Sequence, residues 1–457
     1  MKSYEIETSQ RIKDALQILD ASKIVEIGSG ILDRIAEIFR RCFDDRPAII
    51  IADMNTYPAA GRQVETLLKN SGISLLETFI FREADLYAEM QHVDHLVELL
   101  SKVDAIAIAV GSGTINDLVK LSSYRCGRQY LVVVTAGSVD GYSAYGASIS
   151  ENGLKQTFFC PAPQAVIVDL DVIAAAPRIM NAWGYADLAA KIPAGADWII
   201  ADALGIEPID RIAWNFVQRP LRKLITDPAG VRNGDQRALC FLIEGLIMSG
   251  LAMQQAKSSR PASGAEHQFS HLWDNQHHIH HGKAPSHGFK VAVGSMASIA
   301  LYEAMFAILG DAPSAKLRDV TGYWLDFADI EREIKREFPS PQESVQIIEQ
   351  SREKYVDHRE LAKRVAQAVS IWPDLKKKLL KQLLDFKEFQ ALLRRVGAPL
   401  SPLDIGIEPD RLRASYRTAW LIRQRYTILD FTYQLGIFEQ CIGYIFDSER
   451  YWKSSSE

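Results

Sequence analysis

Short apolar runs alternate with longer stretches of helical period over the first third of the chain. Runs rich in Ile and Val, without polar alternation, are typical of parallel strands that are buried on both faces. Five of these runs are predicted strands, at residues 23–27, 48–52, 75–81, 105–110 and 130–135. Helices are predicted between them, at residues 31–43, 59–70, 88–102 and 114–125. A hairpin at 148–157 and a strand at 165–168 follow. This rhythm predicts βαβ units and therefore an open, doubly wound, mostly parallel sheet.

The pattern becomes helical near Pro177 and stays helical to the end of the chain. The predicted helices cover residues 186–191, 207–225, 235–255, 290–309 and 408–434. The segment 330–395 is dense in Lys, Arg and Glu at helical spacing, which is typical of solvated helix faces. Trp372-Pro373 is expected to break that segment. The predicted fold class is an α/β domain over residues 1–175 followed by an all-helical domain over residues 176–457.

Composition narrows the class of protein. A net charge of −5 gives no reason to expect a nucleic-acid or anionic-membrane partner. Five widely spaced cysteines without a CxxC pattern are typical of reduced thiols. The polar N-terminus does not resemble a signal peptide, and no apolar run approaches the roughly 20 residues of a membrane span. We therefore expect a cytoplasmic protein without a membrane span, and we expect it to form a homo-oligomer, a dimer.

Polar residues stand at two predicted strand ends, where ligands of such sheets bind. The strand at 105–110 runs into Gly111-Ser112-Gly113-Thr114, and a helix with Asp117 follows. Glycines there let the backbone approach a pyrophosphate, and a helix N-terminus favours its charge. A plain tight turn is the alternative. Asp53 ends the strand at 48–52, where a carboxylate can accept hydrogen bonds from a ribose; a helix-capping or turn Asp is equally compatible.

Seven of the ten histidines lie between Pro261 and Gly288. Ser263 and Glu266 have the spacing of a capping box, which predicts a helix that begins at Ser263. His267 and His271 then share one face of that helix. Pro285-Ser286 predicts a second helix, with His287 at its start. Two helices that each deliver an imidazole to one point would make a metal site. The alternative is an exposed polar loop in which the histidines are incidental.

Five motifs occur in the order GSGTINDLVK, TAGSVDG, GYADLAAK, RPASGAEHQFSH and SHGFKVAVG. Together they resemble the sn-glycerol-1-phosphate dehydrogenases of the bacterial AraM type, relatives of dehydroquinate synthases, glycerol dehydrogenases and iron-containing alcohol dehydrogenases. The resemblance implies the dehydroquinate synthase-like fold, with dinucleotide bound by residues 1–175 and metal and substrate by residues 176–457. It implies NAD(P)H- and metal-dependent, reversible reduction of dihydroxyacetone phosphate, a phosphorylated ketone. A polyol or glycerol dehydrogenase, a cyclase of the dehydroquinate-synthase type and a non-catalytic metal-binding protein stay open as alternatives.

The resemblance also implies roles for individual residues. The metal ligands correspond to Asp187, His267 and His287. The contacts with NAD(H) or NADP(H) correspond to Gly111, Ser112, Gly113, Thr114, Asp117, Thr135 and Ser138, and from its strand end we add Asp53. His271 corresponds to a position that contacts substrate or relays a proton, and Asp140 to a substrate-binding carboxylate.

Two positions carry further expectations. Lys191 stands where iron-dependent relatives have a fourth, histidine ligand, so a three-ligand site for one Zn or Ni ion is expected. A phosphorylated substrate needs a cation, and of Arg260, Lys283 and Lys290 we favour Arg260, immediately before the PASGAEH segment. The segments 277–281 and 330–395 have no assigned role.

Overall fold

A six-stranded, all-parallel sheet forms the core of the N-terminal part of the chain in the computed structural model, which describes residues 8–151, 153–311, 313 and 322–452. The strand order is β1-β8-β5-β4-β2-β3, and β6 and β7 form a separate antiparallel hairpin. The strands are β1 Ile24–Gly28, β2 Ala48–Asp53, β3 Phe79–Phe81, β4 Ile106–Gly111, β5 Tyr130–Val134, β6 Ala147–Glu151, β7 Leu154–Phe158 and β8 Ala165–Asp169. The predicted doubly wound parallel sheet is confirmed.

Helices flank this sheet, and those between β1 and β5 connect successive strands, as the βαβ rhythm predicts. They are α1 Gln10–Leu16, α2 Ile35–Phe43, α3 Arg62–Asn70, α4 Met90–Ser101, α5 Gly113–Arg125 and α6 Leu170–Ala175. Ile35, Ile38 and Phe39 on α2 are buried at helical spacing and pack into the core beside the central strands. Strand β3 is shorter than predicted, because it lies at the edge of the sheet and Leu75 makes only an isolated bridge to Ala48.

The rest of the described chain is helical, which confirms the predicted change of pattern. The helices are α7 Arg178–Ala189, α8 Lys191–Ala203, α9 Arg211–Leu224, α10 Pro228–Asn233, α11 Gln236–Ala256, α12 Ala265–Asn275, α13 His287–Leu309, α14 Phe327–Glu337, α15 Pro341–Lys354, α16 His358–Gln382, α17 Phe386–Val396, α18 Pro409–Leu421, α19 Ile428–Gln434 and α20 Phe438–Asp447.

Two helix predictions for the chain after residue 330 are wrong. Pro373 lies inside α16 instead of breaking it, because the buried side chain of Trp372 anchors the helix and donates from Nε1 to the Gly310 carbonyl at 2.9 Å. The single helix predicted over 408–434 is two helices, α18 and α19. Between them Arg423 adopts a left-handed φ of 65°, and a Thr427–Asp430 capping box begins the second helix.

Contacts group the chain into two compact units. The first extends to Ala189 and includes Arg211–Ala262 and Arg395–Gly397. The second comprises Ala190–Asp210, Ser263–Arg394 and the residues after Gly397. The predicted boundary at residue 175 would assign α7 and the segment with α9, α10 and α11 to the helical domain, whereas contacts group them with the sheet.

Two helices, α11 and α13, are long and apolar enough to cross a membrane, contrary to the expectation that no apolar run approaches that length. Their apolar windows are 83% and 78% buried within the protein. Buried core helices of globular proteins meet the same criterion, so this is weak evidence for a span.

Candidate metal centre and cofactor turns

Asp187 is held against the loop that follows β5. A Cβ at Gly184, one turn earlier on α7, would lie 2.0 Å from the Gly137 carbonyl oxygen, so only glycine permits this close approach. The approach lets the Asp140 backbone N–H donate to Asp187 Oδ2 at 3.1 Å. Asp187 is fully buried, and its carboxylate orientation is therefore fixed by the backbone beside it.

His267 lies in the first turn of α12, which begins at Ala265 and not at Ser263 as predicted. Gly264 is the N-cap, and its N–H donates to Glu266 Oε1 at 2.6 Å. The Ala265 N–H donates to Asp197 Oδ2 at 2.7 Å. Glu266 Oε1 also lies 2.8 Å from His267 Nδ1. A carboxylate there favours the Nδ1–H tautomer, which leaves Nε2 as a lone-pair donor for an ion.

His287 is the first residue of α13, and the predicted helix start at Ser286 is confirmed, because the Ser286 side chain accepts from the Phe289 N–H at 3.3 Å. His287 Nδ1 lies 3.3 Å from Ser270 Oγ. The His287 ring centroid is 5.2 Å from that of His267. The ring of His271 is 6.4 Å from each of the other two rings. Three imidazoles therefore converge where α12 and α13 pack together.

One group of metal-ligand side chains is close enough to hold an ion among the described residues: Asp187, His267 and His287, whose ligand atoms all lie within 4.8 Å of one another. Ligand atoms around one zinc ion at about 2.1 Å are at most about 4.2 Å apart. Small side-chain rotations would therefore complete a site. One carboxylate and two imidazoles are donors that can bind a divalent metal ion.

The glycine turn after β4 lies beside the loop after β5. The Thr135 N–H donates to the Gly111 carbonyl at 3.1 Å, and a Cβ at Gly113 would lie 2.9 Å from Val139 Cγ2. Gly113 begins α5, so the backbone N–H groups of the turn stand at a helix N-terminus. The Ser138 hydroxyl is 3.2 Å from the Tyr142 hydroxyl. The structure thus brings the predicted cofactor residues of these two strand ends together.

Asp117 and Asp53 have backbone partners. Burial raises the pKa of the Asp117 carboxyl, with Lys120 acting in the opposite direction, and Asp117 Oδ2 accepts from the Ser148 N–H at 3.1 Å. Asp53 Oδ1 accepts from the backbone N–H groups of Asn55 and Thr56, each at 2.8 Å. These contacts are those of a turn residue, and the hydrogen bonds to a ribose predicted for Asp53 stay a prediction.

The three candidate cations for a phosphate differ in their surroundings. Arg260 is only 1% exposed. Lys290 is buried and forms an ion pair with Asp274. Lys283 is exposed, and its backbone pairs with His280 in a short bridge. The carboxylate of Asp274 therefore neutralises the charge of Lys290.

Sequence reasoning missed the residues that orient the histidines. Glu266 and Ser270 contact His267 and His287, and Asp197 holds the start of α12. Asp197 Oδ1 also accepts from the Tyr302 hydroxyl at 2.6 Å. Glu266 precedes His267 directly, so its position could have signalled this role. Asp197 lies 68 residues from Ala265 and gives no local signal.

Comparisons with known proteins agree with this fold. A model of the iron-containing alcohol dehydrogenase family matches residues 5–177. The structure of glycerol dehydrogenase from Schizosaccharomyces pombe superposes with a TM-score of 0.59 at 14% identity, over 96% of this chain and 95% of that one. The fold is therefore that of the iron-containing alcohol dehydrogenases.

Similar curated proteins identify the family to which this chain belongs within that fold. Glycerol-1-phosphate dehydrogenase [NAD(P)+] of Methanosarcina mazei is 31% identical over 66% of this chain and 82% of its own length. That of Halalkalibacterium halodurans is 37% identical over 56% of this chain and 64% of its own length. The match spans slightly less than two thirds of the latter protein. The chain belongs to the glycerol-1-phosphate dehydrogenase family of oxidoreductases.

Proposed function

We propose that this chain is a cytoplasmic, metal-dependent enzyme that reduces dihydroxyacetone phosphate to sn-glycerol 1-phosphate with NADH or NADPH, reversibly. The observation that carries the proposal is the convergence of ligand atoms from Asp187, His267 and His287 within 4.8 Å. The names of the family's curated members support the reaction and the NAD(P) cofactor. We expect the enzyme to act as a homodimer.

The metal would be held by Asp187, His267 and His287, and Zn²⁺ or Ni²⁺ suits that donor set. When bound, such an ion polarises a ketone oxygen and stabilises the negative charge that develops on it. Glu266 holds the His267 ring by its Nδ1 atom at 2.8 Å. The Asp140 N–H holds one oxygen of Asp187. The chain thus fixes the orientation of two of the three proposed ligands before any ion binds.

The cofactor would lie along the strand ends, with its pyrophosphate at Gly111-Ser112-Gly113-Thr114. Backbone N–H groups at the start of α5 would donate to phosphate oxygens, and the helix dipole favours their charge. The side chains proposed to contact the cofactor are Asp53, Asp117, Thr135 and Ser138. NAD(P)H supplies the hydride, and the chain supplies orientation and exclusion of water.

The substrate would contact Asp140, Asp187, His271 and Arg260. Asp140 is held in place by the Ser249 hydroxyl, which donates to its Oδ2 at 2.8 Å. His271, one turn after His267, is suited to move the proton of the new hydroxyl group. Arg260 is the cation proposed for the phosphate.

Oxidation of NADH and NADPH, followed by absorbance with and without ketone, tests this function. Apoprotein is loaded in turn with Zn²⁺, Ni²⁺ and Fe²⁺ and offered dihydroxyacetone phosphate or dihydroxyacetone. Oxidation that requires dihydroxyacetone phosphate, with sn-glycerol 1-phosphate as the product, is the expected result. Comparable efficiency on the two ketones would make the chain a polyol dehydrogenase. No net oxidation with any ketone would favour a cyclase that recycles its NAD, or a metal-binding protein without this catalysis.

A further inference from the structure

The segment that links α18 and α19 lies against the first turns of α12. Gln268 on α12 donates from Nε2 to the Ile422 carbonyl at 3.1 Å, and its Oε1 accepts from Thr427 Oγ1 at 2.9 Å. Arg425 donates to the Ser263 carbonyl at 2.9 Å. Three hydrogen bonds therefore fix residues 422–427 beside the helix that carries His267 and His271.

Arg423 within this segment has a φ of 65°, a left-handed conformation that is uncommon outside glycine. Its backbone N–H donates to Gln350 Oε1 at 3.1 Å. Conformations of this kind persist when the surrounding structure enforces them, and they concentrate at ligand-binding and active sites. The backbone at Arg423 is therefore strained, and this conformation sets the direction in which the arginine side chain leaves the chain.

The guanidinium of Arg423 has no hydrogen bond and no ion pair with any residue in the part of the chain that the structure describes. Burial lowers its pKa to about 10, against an opposite effect of Asp274, so the group is still charged at neutral pH. The neighbouring arginines differ. Arg417 forms two hydrogen bonds with Glu439, and Arg411 donates to Gln276 and His278. None of the Arg423 nitrogens is among the buried side-chain atoms that lack a hydrogen-bond partner, so its five donors reach solvent and could meet the acceptors of a ligand.

An ion pair between α12 and α13 lies near Arg423. Asp274 lies three residues after His271, and Lys290 lies three residues after His287. Residues three apart on a helix share a face, so the Asp274–Lys290 pair is the next contact along the two helices after the histidines. Asp274 therefore faces two cations, Lys290 in the ion pair and Arg423 nearby. Asp274 itself is one helical turn from His271, which places Arg423 on the side of α12 that carries the histidines.

We propose that Arg423 binds the phosphate of the substrate, as a specificity-determining residue. The inference rests on the proposed function and adds Arg423 as a second cation for the phosphate, beside Arg260. A guanidinium fork matches two phosphate oxygens, and a hydrogen bond between two charged groups is roughly twice as strong as a neutral one. The turn between α18 and α19 positions the guanidinium of Arg423. No short sequence motif predicts the conformation of that turn.

The test compares Arg423→Ala with Arg417→Ala in the metal-loaded enzyme. Alanine keeps the Cβ of arginine, so the strain at φ 65° is nearly unchanged and loss of the guanidinium is isolated. The KM for dihydroxyacetone phosphate should rise by roughly 10- to 100-fold in Arg423→Ala, the size expected for a lost charged hydrogen bond. The kcat/KM for dihydroxyacetone should stay unchanged in the same variant. Arg417→Ala, which removes an exposed guanidinium, should change neither constant.

Two further measurements separate the possible outcomes. The KM for NADPH should be unchanged in Arg423→Ala; a rise confined to NADPH would mean that the cofactor's phosphate is the ligand, and would overturn the proposal. An unchanged KM for dihydroxyacetone phosphate would overturn it as well. If wild type reduces no phosphorylated ketone, the proposed function fails. Calorimetry with inorganic phosphate then decides: weaker binding to Arg423→Ala supports the anion site, and equal or absent binding removes it.

Discussion

Two groups of histidines lie within 21 residues of the chain. They differ in whether the protein engages one or both ring nitrogens of the imidazole. His267 and His287 stand on α12 and α13, and each has Nδ1 beside a carboxylate or a hydroxyl. His278 lies in the turn between the helices. Its Nε2 donates to the Ile405 carbonyl at 2.6 Å, and its Nδ1 accepts from Arg411 at 2.7 Å.

The comparison shows that residue type alone does not define a ligand. An imidazole with Nδ1 engaged and Nε2 directed toward two other donors can hold an ion. An imidazole with both nitrogens engaged by the protein cannot do so without losing a bond. His280 also serves packing, because a Cβ at Gly406 would lie only 2.4 Å from its Nδ1. The histidine run at 277–281 thus connects the α12–α13 turn to the residues before α18.

Replacing a proposed ligand should have the largest effect. His267→Ala removes one of three donors, and a site with two donors binds weakly. We expect metal occupancy, measured by elemental analysis of the purified protein, to fall to a small fraction of wild type and activity to disappear. His280→Ala, from the other group, should retain full occupancy. A full equivalent of metal in His267→Ala would show that the assignment of the ligands is wrong.

Changing what supports a ligand should have a smaller effect. Glu266→Gln keeps the size of the side chain and an oxygen for the Gly264 N–H, but it removes the charge beside His267 Nδ1. Loss of such a partner costs roughly 10- to 100-fold in metal affinity, and we expect the lower end because glutamine can still accept from Nδ1–H. Competition with a chelating dye measures the Kd. Glu439→Gln, at an exposed ion pair, is the matched control, and equal Kd values for both variants would contradict this role.

Much of the sheet and part of the site could be predicted from the sequence, because neighbouring residues determine both. Apolar runs in the first part of the chain gave β2, β4, β5 and β8 nearly to the residue. Ser286 capped α13 as its position predicted. What failed depends on contacts far apart in sequence. Asp197 moves the start of α12, and Gly310 accepts from Trp372 in the helix that tolerates Pro373. No window of neighbouring residues contains that information.

The smallest expected effect is that His278 makes the stability of the protein depend on pH. This dependence would distinguish His278, a structural histidine, from the histidines proposed as metal ligands. Burial lowers the pKa of this imidazole below its ordinary value of 6.5, so the unfolded chain takes up the proton first as the pH falls. The stabilisation that neutral His278 contributes is fully present above about pH 6.5, the ordinary pKa of the imidazole. It decreases as the pH falls from there toward the lower pKa of His278 in the folded protein.

His278→Gln should abolish this dependence, because glutamine does not titrate. By calorimetry, the Tm of wild type relative to His278→Gln should be higher at about pH 7.5 than at about pH 5 by roughly 1–3 °C. Metal occupancy near neutral pH should be the same in both proteins, since both nitrogens of His278 are engaged by Ile405 and Arg411. A Tm difference that grows as the pH falls would mean that the charged imidazole is the form the fold stabilises. His278 would then accept no hydrogen bond from Arg411, and the contrast between the two groups of histidines would lose its physical basis.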